Sequence, residues 1–358
     1  MGQIKAAVAR EFGAPLVIET VELRAPEGRE VEVTLDAVAI CHSDISYADG
    51  IWGGTLPAIY GHEAAGRVTG LGPDARGYAL GDRVIVTLIR GCGHCSPCAS
   101  GRPVGCETPA GASPITDESG ASVVQAMNCG AFAEKVIVDP SQLARMPDGL
   151  PSDIACVLAC GVITGVGAVV NSAKLRPGQD AVVIGAGGVG LNAIQGARLA
   201  GARRIVAVDL SASKLEDARA FGATDTMLAD TADPAGELHR LIGRGADAVF
   251  VTVGAIPAYD AAPALLAPSG QIVLVGMPAV GATASYLPVD FAATGQGMIG
   301  SKMGDCVPAR DIPWLIDLWS QGRLELDALV SGRWRLDQIN DAIADTKGGA
   351  ARRNVIVF

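Results

Sequence analysis

Two hydrophobic rhythms divide this chain. Through roughly the first 145 residues the apolar positions fall in short segments punctuated by Gly and Pro. VEVTLDAVAI (31–40) alternates apolar and polar positions, then turns mostly apolar on its way to Cys41. DRVIVTLI (82–89) and EKVIV (134–138) are similar. A period of two marks strands, so this part is expected to be all-β and loop-rich. Around RMPDGLPSD (145–153) the rhythm changes. AVVIG, RIVAVD, TDTML, DAVFVTVG and GQIVLVG read as strands, separated by helical patterns such as SASKLEDARAFG with a cap at Ser211 or Ser213. Alternating strands and helices predict a parallel, doubly wound sheet. GMIGS (297–301) offers a sixth strand, followed by helices over about 307–320 and 336–346 and a final strand, NVIVF. The expected class is α/β, with a β-rich domain over 1–148, a dinucleotide-type domain over 149–298, and a return to the first domain over 299–358.

Composition narrows the function. A chain of 358 residues, 49% hydrophobic, suits two domains with sizeable cores. The net charge is −10 and no Lys/Arg run exceeds a pair, which argues against nucleic acid as a partner. MGQIKAAVAREFG lacks an apolar signal core, and Ala6 breaks the myristoylation pattern. The uncharged stretch 154–173 is long enough for a bilayer, but it holds three glycines and two cysteines and has no aromatic belt, so it reads as protein interior rather than membrane. Nine cysteines without an export signal point to a reducing, cytoplasmic location, where clustered thiols bind metal.

AVVIGAGGVGLNAIQGARLAGARRIVAVD carries Gly185, Gly187 and Gly190 in G-x-G-x-x-G spacing, and Gly188 lies within the same turn. The motif follows a strand, opens a helix and reaches Asp209 about 20 residues on, the dinucleotide-binding context. Gly185 serves the tight turn, Gly187 admits the pyrophosphate to the backbone, and Gly190 lets the helix pack on the sheet. The helix N-terminus favours the phosphates. Asp209 accepts from the ribose hydroxyls and would repel a 2′-phosphate, which favours NAD over NADP.

A second constellation is metal-like. Cys41 in AICHSD and His62 in IYGHEAAG are candidate zinc ligands, with Glu63 beside His62. Cys160, at the turn into the dinucleotide unit, is the candidate third ligand, with Cys156 its rival. Two Cys, one His and an open position describe a catalytic zinc. Cys92, Cys95, Cys98 and Cys106 form a separate cluster of four thiols in one short loop.

GHEAAGRVTGLG, CHSD, the four-cysteine loop, CGVITG, the glycine fingerprint with Asp209 and the tail RRNVIVF together resemble the zinc-dependent medium-chain alcohol dehydrogenases, over essentially the full length. The resemblance implies a GroES-like catalytic domain interrupted by a Rossmann domain. It implies that Cys92, Cys95, Cys98 and Cys106 form a structural zinc lobe (about 90–108), His94 being surplus. Cys41, His62 and Cys160 then hold the catalytic zinc. Ser43 bonds the substrate oxygen and passes its proton on, Asp44 orients His62, and Glu63 lies behind the metal. His42, Thr164, Val189, Lys214, Val275 and Arg353 are implied in cofactor binding, Arg353 being adjacent to the alternative Arg352. Trp52 and Leu88 line the substrate channel. Cys129, Cys156 and Cys306 read as small buried hydrophobes and His239 as an exposed helix residue.

The reaction so implied is NAD-dependent oxidation of an alcohol to an aldehyde or ketone, and its reverse. The apolar Trp52 and Leu88 suit small aliphatic or aromatic primary alcohols better than sugars. Ser46 replaces a histidine that many relatives use to pass the proton outward, so the relay is expected to run through Ser43, the ribose and water. A shortened connection between the lobe and Cys160 also alters the substrate mouth. The nearest alternative is a polyol or thiol-adduct formaldehyde dehydrogenase. A zinc-free quinone reductase would leave Cys41, His62 and Cys160 idle, and a non-catalytic NADH sensor would need no open metal position. A homodimer or homotetramer is expected, joined along GQIVLVG.

Overall fold

The structure, a computed structural model, describes residues 2–358. The chain forms two compact units, residues 1–160 with 307–358, and residues 161–306. These divisions lie beyond 148 and 298 in the chain. The short helical turns Ser152–Ala155 and Cys156–Ala159 pack on strands of the first unit, and Gly304 packs against the Ile163 and Thr164 carbonyls of the second.

In the first unit five strands close a small barrel: Gly2–Ala9, Val17–Leu23, Ile115–Thr116, Ser122–Gln125 and Ala58–Ile59. Beside it lies a seven-stranded sheet. Its order is Leu143–Arg145, Arg83–Thr87, Glu63–Leu71, Val31–Ala39, Arg353–Val357, Val330–Trp334, with Lys135–Val138 also pairing to Val31–Ala39. Val31, Val33 and Leu35 are buried while Glu32, Thr34 and Asp36 are half-exposed, and Ala37–Ala39 then bury fully, as the sequence rhythm requires. The pairing of Val31–Ala39 with Glu63–Leu71 contains two bulges, between Glu32 and Val33 and between Leu35 and Ala37. Beyond them Ala39, Glu63 and Thr87 fall in one row across three strands, with Val355 opposite Ala39 on the other side. Ends of four strands therefore meet at one end of the sheet.

This part is not purely strand and loop. Cys41 is the N-cap of a helix, His42–Ala48. Seven residues are two turns, too few for a helical period to stand out.

The second unit is a six-stranded parallel sheet ordered Asp225–Leu228, Arg204–Asp209, Asp180–Ile184, Ala246–Val251, Leu266–Leu274, Gly297–Gly300. This is the doubly wound order of a Rossmann fold, and all six strands read from the sequence are present. The strand GQIVLVG, expected to join subunits, cannot do so by edge pairing. Its residues Gln271–Leu274, in the strand Leu266–Leu274, are hydrogen-bonded on both sides. The edges of this sheet are Asp225–Leu228 and Gly297–Gly300. Among the described residues no single helix is long and apolar enough to cross a membrane. The uncharged stretch 154–173 breaks at Cys160 into Ser152–Ala159 and Gly161–Ala173, a bent pair that passes by length and composition and whose residues are largely buried in the protein.

Gly185, at φ +98°, turns the chain out of Asp180–Ile184. A Cβ on Gly190 would lie 1.7 Å from the Gly185 carbonyl oxygen, whereas one on Gly187 would meet nothing within 4 Å. Gly190→Ala is therefore expected to destabilise the protein by at least ~1–3 kcal/mol, while Gly187→Ala melts like the wild type. Denaturant unfolding of the two variants checks this.

Candidate active site

The meeting of strand ends gathers the chemistry. Cys41 follows Val31–Ala39, His62 directly precedes the strand Glu63–Leu71 that Glu63 opens, and Cys160 follows the turn Cys156–Ala159. One ligand atom from each of Cys41, His62, Glu63 and Cys160 lies within 4.8 Å of the other three, and all four residues are buried. The Asp44 carboxylate, 1% exposed, ties this corner together. Its Oδ2 accepts the Cys41 N–H at 3.0 Å. Its Oδ1 accepts the Gly61 N–H at 2.8 Å and pairs with His62 Nδ1 at 2.9 Å. A carboxylate only accepts, so the His62 proton sits on Nδ1 and the other ring nitrogen is left for the thiols. That atom, Nε2, is buried without a hydrogen-bond partner.

Electrostatics describe a corner short of positive charge. A hydrogen bond from Cys160 holds the Cys41 thiol well below its ordinary pKa, against burial and with help from His62. The same bond, with burial, holds Cys160 well above it. Burial alone would lower His62, but the Asp44 charge and hydrogen bond outweigh it and raise the imidazole well above its usual value. Burial pushes Glu63 up to about 8 against the pull of Arg353. The proton that Cys160 keeps is one that a divalent cation displaces, and the same cation opposes a second proton on His62. Two thiols and an unpartnered imidazole nitrogen in a dry corner fit zinc.

Arg353 is a buried guanidinium in this corner. Its Nη2 lies 3.5 Å from Glu63 Oε1, and its Nη1 donates to the Ile40 carbonyl at 3.4 Å. The family resemblance implies Arg353 in cofactor binding; the structure sets its guanidinium beside Glu63, a pairing no local motif announces. Arg352 turns instead to the Ala328 carbonyl. Ser43 and Ser46 are half-buried on His42–Ala48, three residues apart and so on one face, while His42 is exposed. Trp52 is half-buried, edge-on to Tyr47 with ring centres 5.1 Å apart, and Leu88 is half-buried immediately after Thr87. The Cys156 thiol donates to the Asp153 carbonyl and is not in the cluster. Cys129 and Cys306 are buried, and His239 is exposed.

Cys92, Cys95, Cys98 and Cys106 form the second group, with sulfurs mutually within 4.8 Å. The Cys95 N–H donates to Cys92 Sγ at 3.3 Å and the Cys92 N–H to Cys106 Sγ at 3.4 Å. Hydrogen bonds from Thr108 and from the His94 and Cys95 N–H groups lower Cys92 to about 5, and desolvation raises Cys98 to about 11. His94 is exposed and lies outside the group. In the two short helices of this loop only Val104 is buried.

In the second unit Gly187 caps the helix Gly188–Leu199, whose first turn includes the half-exposed Gly188 and Val189. Asp209 ends its strand with Oδ2 accepting the Ala186 N–H and Oδ1 the Ser211 N–H, both at 2.8–2.9 Å. Lys214 and Val275 are half-exposed, and Thr164 is buried against Met303 Sδ.

Comparison with known proteins fits this geometry. Residues 27–148 match the alcohol dehydrogenase GroES-like domain, and residues 188–321 match the zinc-binding dehydrogenase family. Class-3 alcohol dehydrogenase of Myxine glutinosa is 34% identical across 98% of this chain and 97% of its own length. The chain belongs to the zinc-dependent medium-chain alcohol dehydrogenase family. Another member, geraniol dehydrogenase of Castellaniella defragrans, is 33% identical over 99% of the chain and 97% of its own length. The solved benzyl alcohol dehydrogenase of Acinetobacter calcoaceticus matches at a TM-score of 0.94 and 30% identity, covering both chains fully. As a family member the chain is an oxidoreductase of the alcohol dehydrogenase type, with a GroES-like unit and a Rossmann unit.

Asp44→Asn keeps the shape but turns an N–H₂ toward one of three donors. Loss of one acceptor and of the charge is expected to cost about 1–3 kcal/mol and to speed amide exchange at Cys41 and along His42–Ala48. Denaturant unfolding and hydrogen-exchange mass spectrometry measure both.

Proposed function

We propose that this protein oxidises small aliphatic or aromatic primary alcohols to aldehydes, and runs the reverse, with NAD as hydride carrier and zinc held by Cys41, His62 and Cys160. The observation that carries this reading is the convergence of those three donors, with Glu63, in one buried corner where His62 Nε2 has no partner. Bound there, zinc supplies Lewis acidity that lets the substrate hydroxyl release its proton near neutral pH. A second zinc in the Cys92–Cys95–Cys98–Cys106 loop is structural, since four thiols leave no position for substrate.

The side chains divide the remaining work. Asp44 fixes the His62 ring and its protonated nitrogen. Ser43 hydrogen-bonds the substrate oxygen and carries its proton outward, and Ser46 continues the path only through water, because a hydroxyl does not store a proton at pH 7. Glu63 and Arg353 balance charge behind the donors. The N–H groups at Gly187, Gly188 and Val189 cradle the NAD pyrophosphate, where the open face of Gly187 leaves room. Asp209, fixed by two backbone N–H groups, takes the ribose hydroxyls with Lys214 nearby in sequence, and Thr164 and Val275 hold the nicotinamide end. Trp52 and Leu88 make an apolar channel, and the benzyl alcohol and geraniol activities named for two relatives support a primary alcohol substrate. Nine free cysteines suit a cytoplasmic setting, and the family resemblance suits a homodimer or homotetramer.

With benzyl alcohol and NAD, NADH absorbance is expected to rise, to stop after chelation and to return with zinc. His62→Ala or Cys160→Ser is expected to lower kcat/KM by more than the ~100-fold that a displaced supporting group costs. Asp209→Ala is expected to raise KM for NAD about tenfold, the loss of a charge-assisted hydrogen bond, with metal content unchanged. Turnover indifferent to chelation sinks the zinc reading.

A further inference from the structure

One buried hydroxyl beside the proposed zinc site has no part in the steps above. The turn Cys156–Ala159 stops at Cys160, whose backbone (φ −145°, ψ −69°) is not helical. A break of this kind strips the preceding carbonyls of helical partners. Thr87 Oγ1 donates to the buried Ala159 carbonyl at 2.6 Å, and Thr87 is itself fully buried. It is the polar end of a strand whose preceding residues, Val84–Val86, are all apolar and buried. Thr87 is fixed in turn from behind. Its carbonyl accepts Nε2 of the buried Gln142 at 3.0 Å, and the same nitrogen donates to the Asn128 carbonyl at 2.9 Å. Gln142 Oε1 accepts the Asp139 N–H, so each polar atom of that amide is engaged. Thr87 also sits directly across from Glu63 in the sheet register.

We infer that Thr87 is a positioning residue for Cys160. Its hydroxyl, preset by the Gln142 amide, grips the Ala159 carbonyl and so sets the Cys160 sulfur one residue on, within reach of Cys41 and His62. The inference rests on the zinc reading proposed above. A threonine that only filled space would be replaced with little consequence by valine, which has nearly the same shape and carries a methyl in place of the hydroxyl.

The test uses the full chain, once with its zinc and once with cobalt(II) in its place. Thr87→Val is expected to release one metal equivalent to a chelator ~10–100-fold faster than wild type and to shift the thiolate-to-cobalt absorption. Its kcat falls while KM for NAD stays put, and Thr87→Ser keeps wild-type behaviour in all three. Thr87→Ser and Thr87→Ala share the missing methyl and differ only in the hydroxyl, so that pair decides the matter if Thr87→Val fails to fold. Equal metal release and equal cobalt spectra in the pair, or wild-type behaviour of Thr87→Val, overturns the inference and leaves the zinc reading standing. A wild-type chain that binds metal at the four-cysteine loop alone overturns both.

Discussion

The proposed zinc corner depends on a single buried carboxylate. Asp44 accepts from the N-cap of one helix, from Gly61 two residues ahead of a strand, and from an imidazole. A charge this deep is tolerable only because every bond it makes is to a donor. Those three bonds are also the device that holds Cys41 and His62, 21 residues apart in sequence, in one fixed relation. The arrangement converts the cost of burying a charge into geometric definition.

Sheet topology does the rest. Strand ends carrying Cys41, His62 and Glu63, Thr87, and Arg353 are brought together by pairing, and the first unit needs its C-terminal segment for one of them. In the second unit the sheet order opens the usual crevice where strand order reverses, next to the glycine turn. Thiol, imidazole and carboxylate groups gather in the first unit, and the glycine turn with the start of the helix Gly188–Leu199 lies in the second.

Much of this was legible in the sequence, and the reasons differ by residue. The turn at Gly185, the helix opened after Gly187 and the close packing at Gly190 are read from local spacing alone, since that geometry is local, and so is the place of Asp209 at the end of the next strand. All six strands of the Rossmann unit announced themselves because each is a short apolar run bounded by turns. Cys92, Cys95, Cys98 and Cys106 were legible for the same local reason. The helix His42–Ala48 was not, because two turns carry no period. The pairing of Arg353 with Glu63 was not legible, because it depends on strand pairing across most of the chain. GQIVLVG read as a joining edge, but a strand's neighbours are decided by topology, which hydrophobicity does not encode. Thr87 passed unnoticed for a related reason: a threonine ending a strand is ordinary until the carbonyl it serves is in view.

The row formed by Ala39, Glu63 and Thr87 has one more consequence. Side chains alternate faces along a strand, so a slip of one residue in either pairing would point Glu63 or Thr87 to the wrong side. The two bulges between Glu32 and Ala37 pin the alignment against such slippage. Assembly of the corner is thereby a proofreading step on the fold: a chain that zips up out of frame cannot gather Cys41, His62, Glu63 and Cys160 in one place.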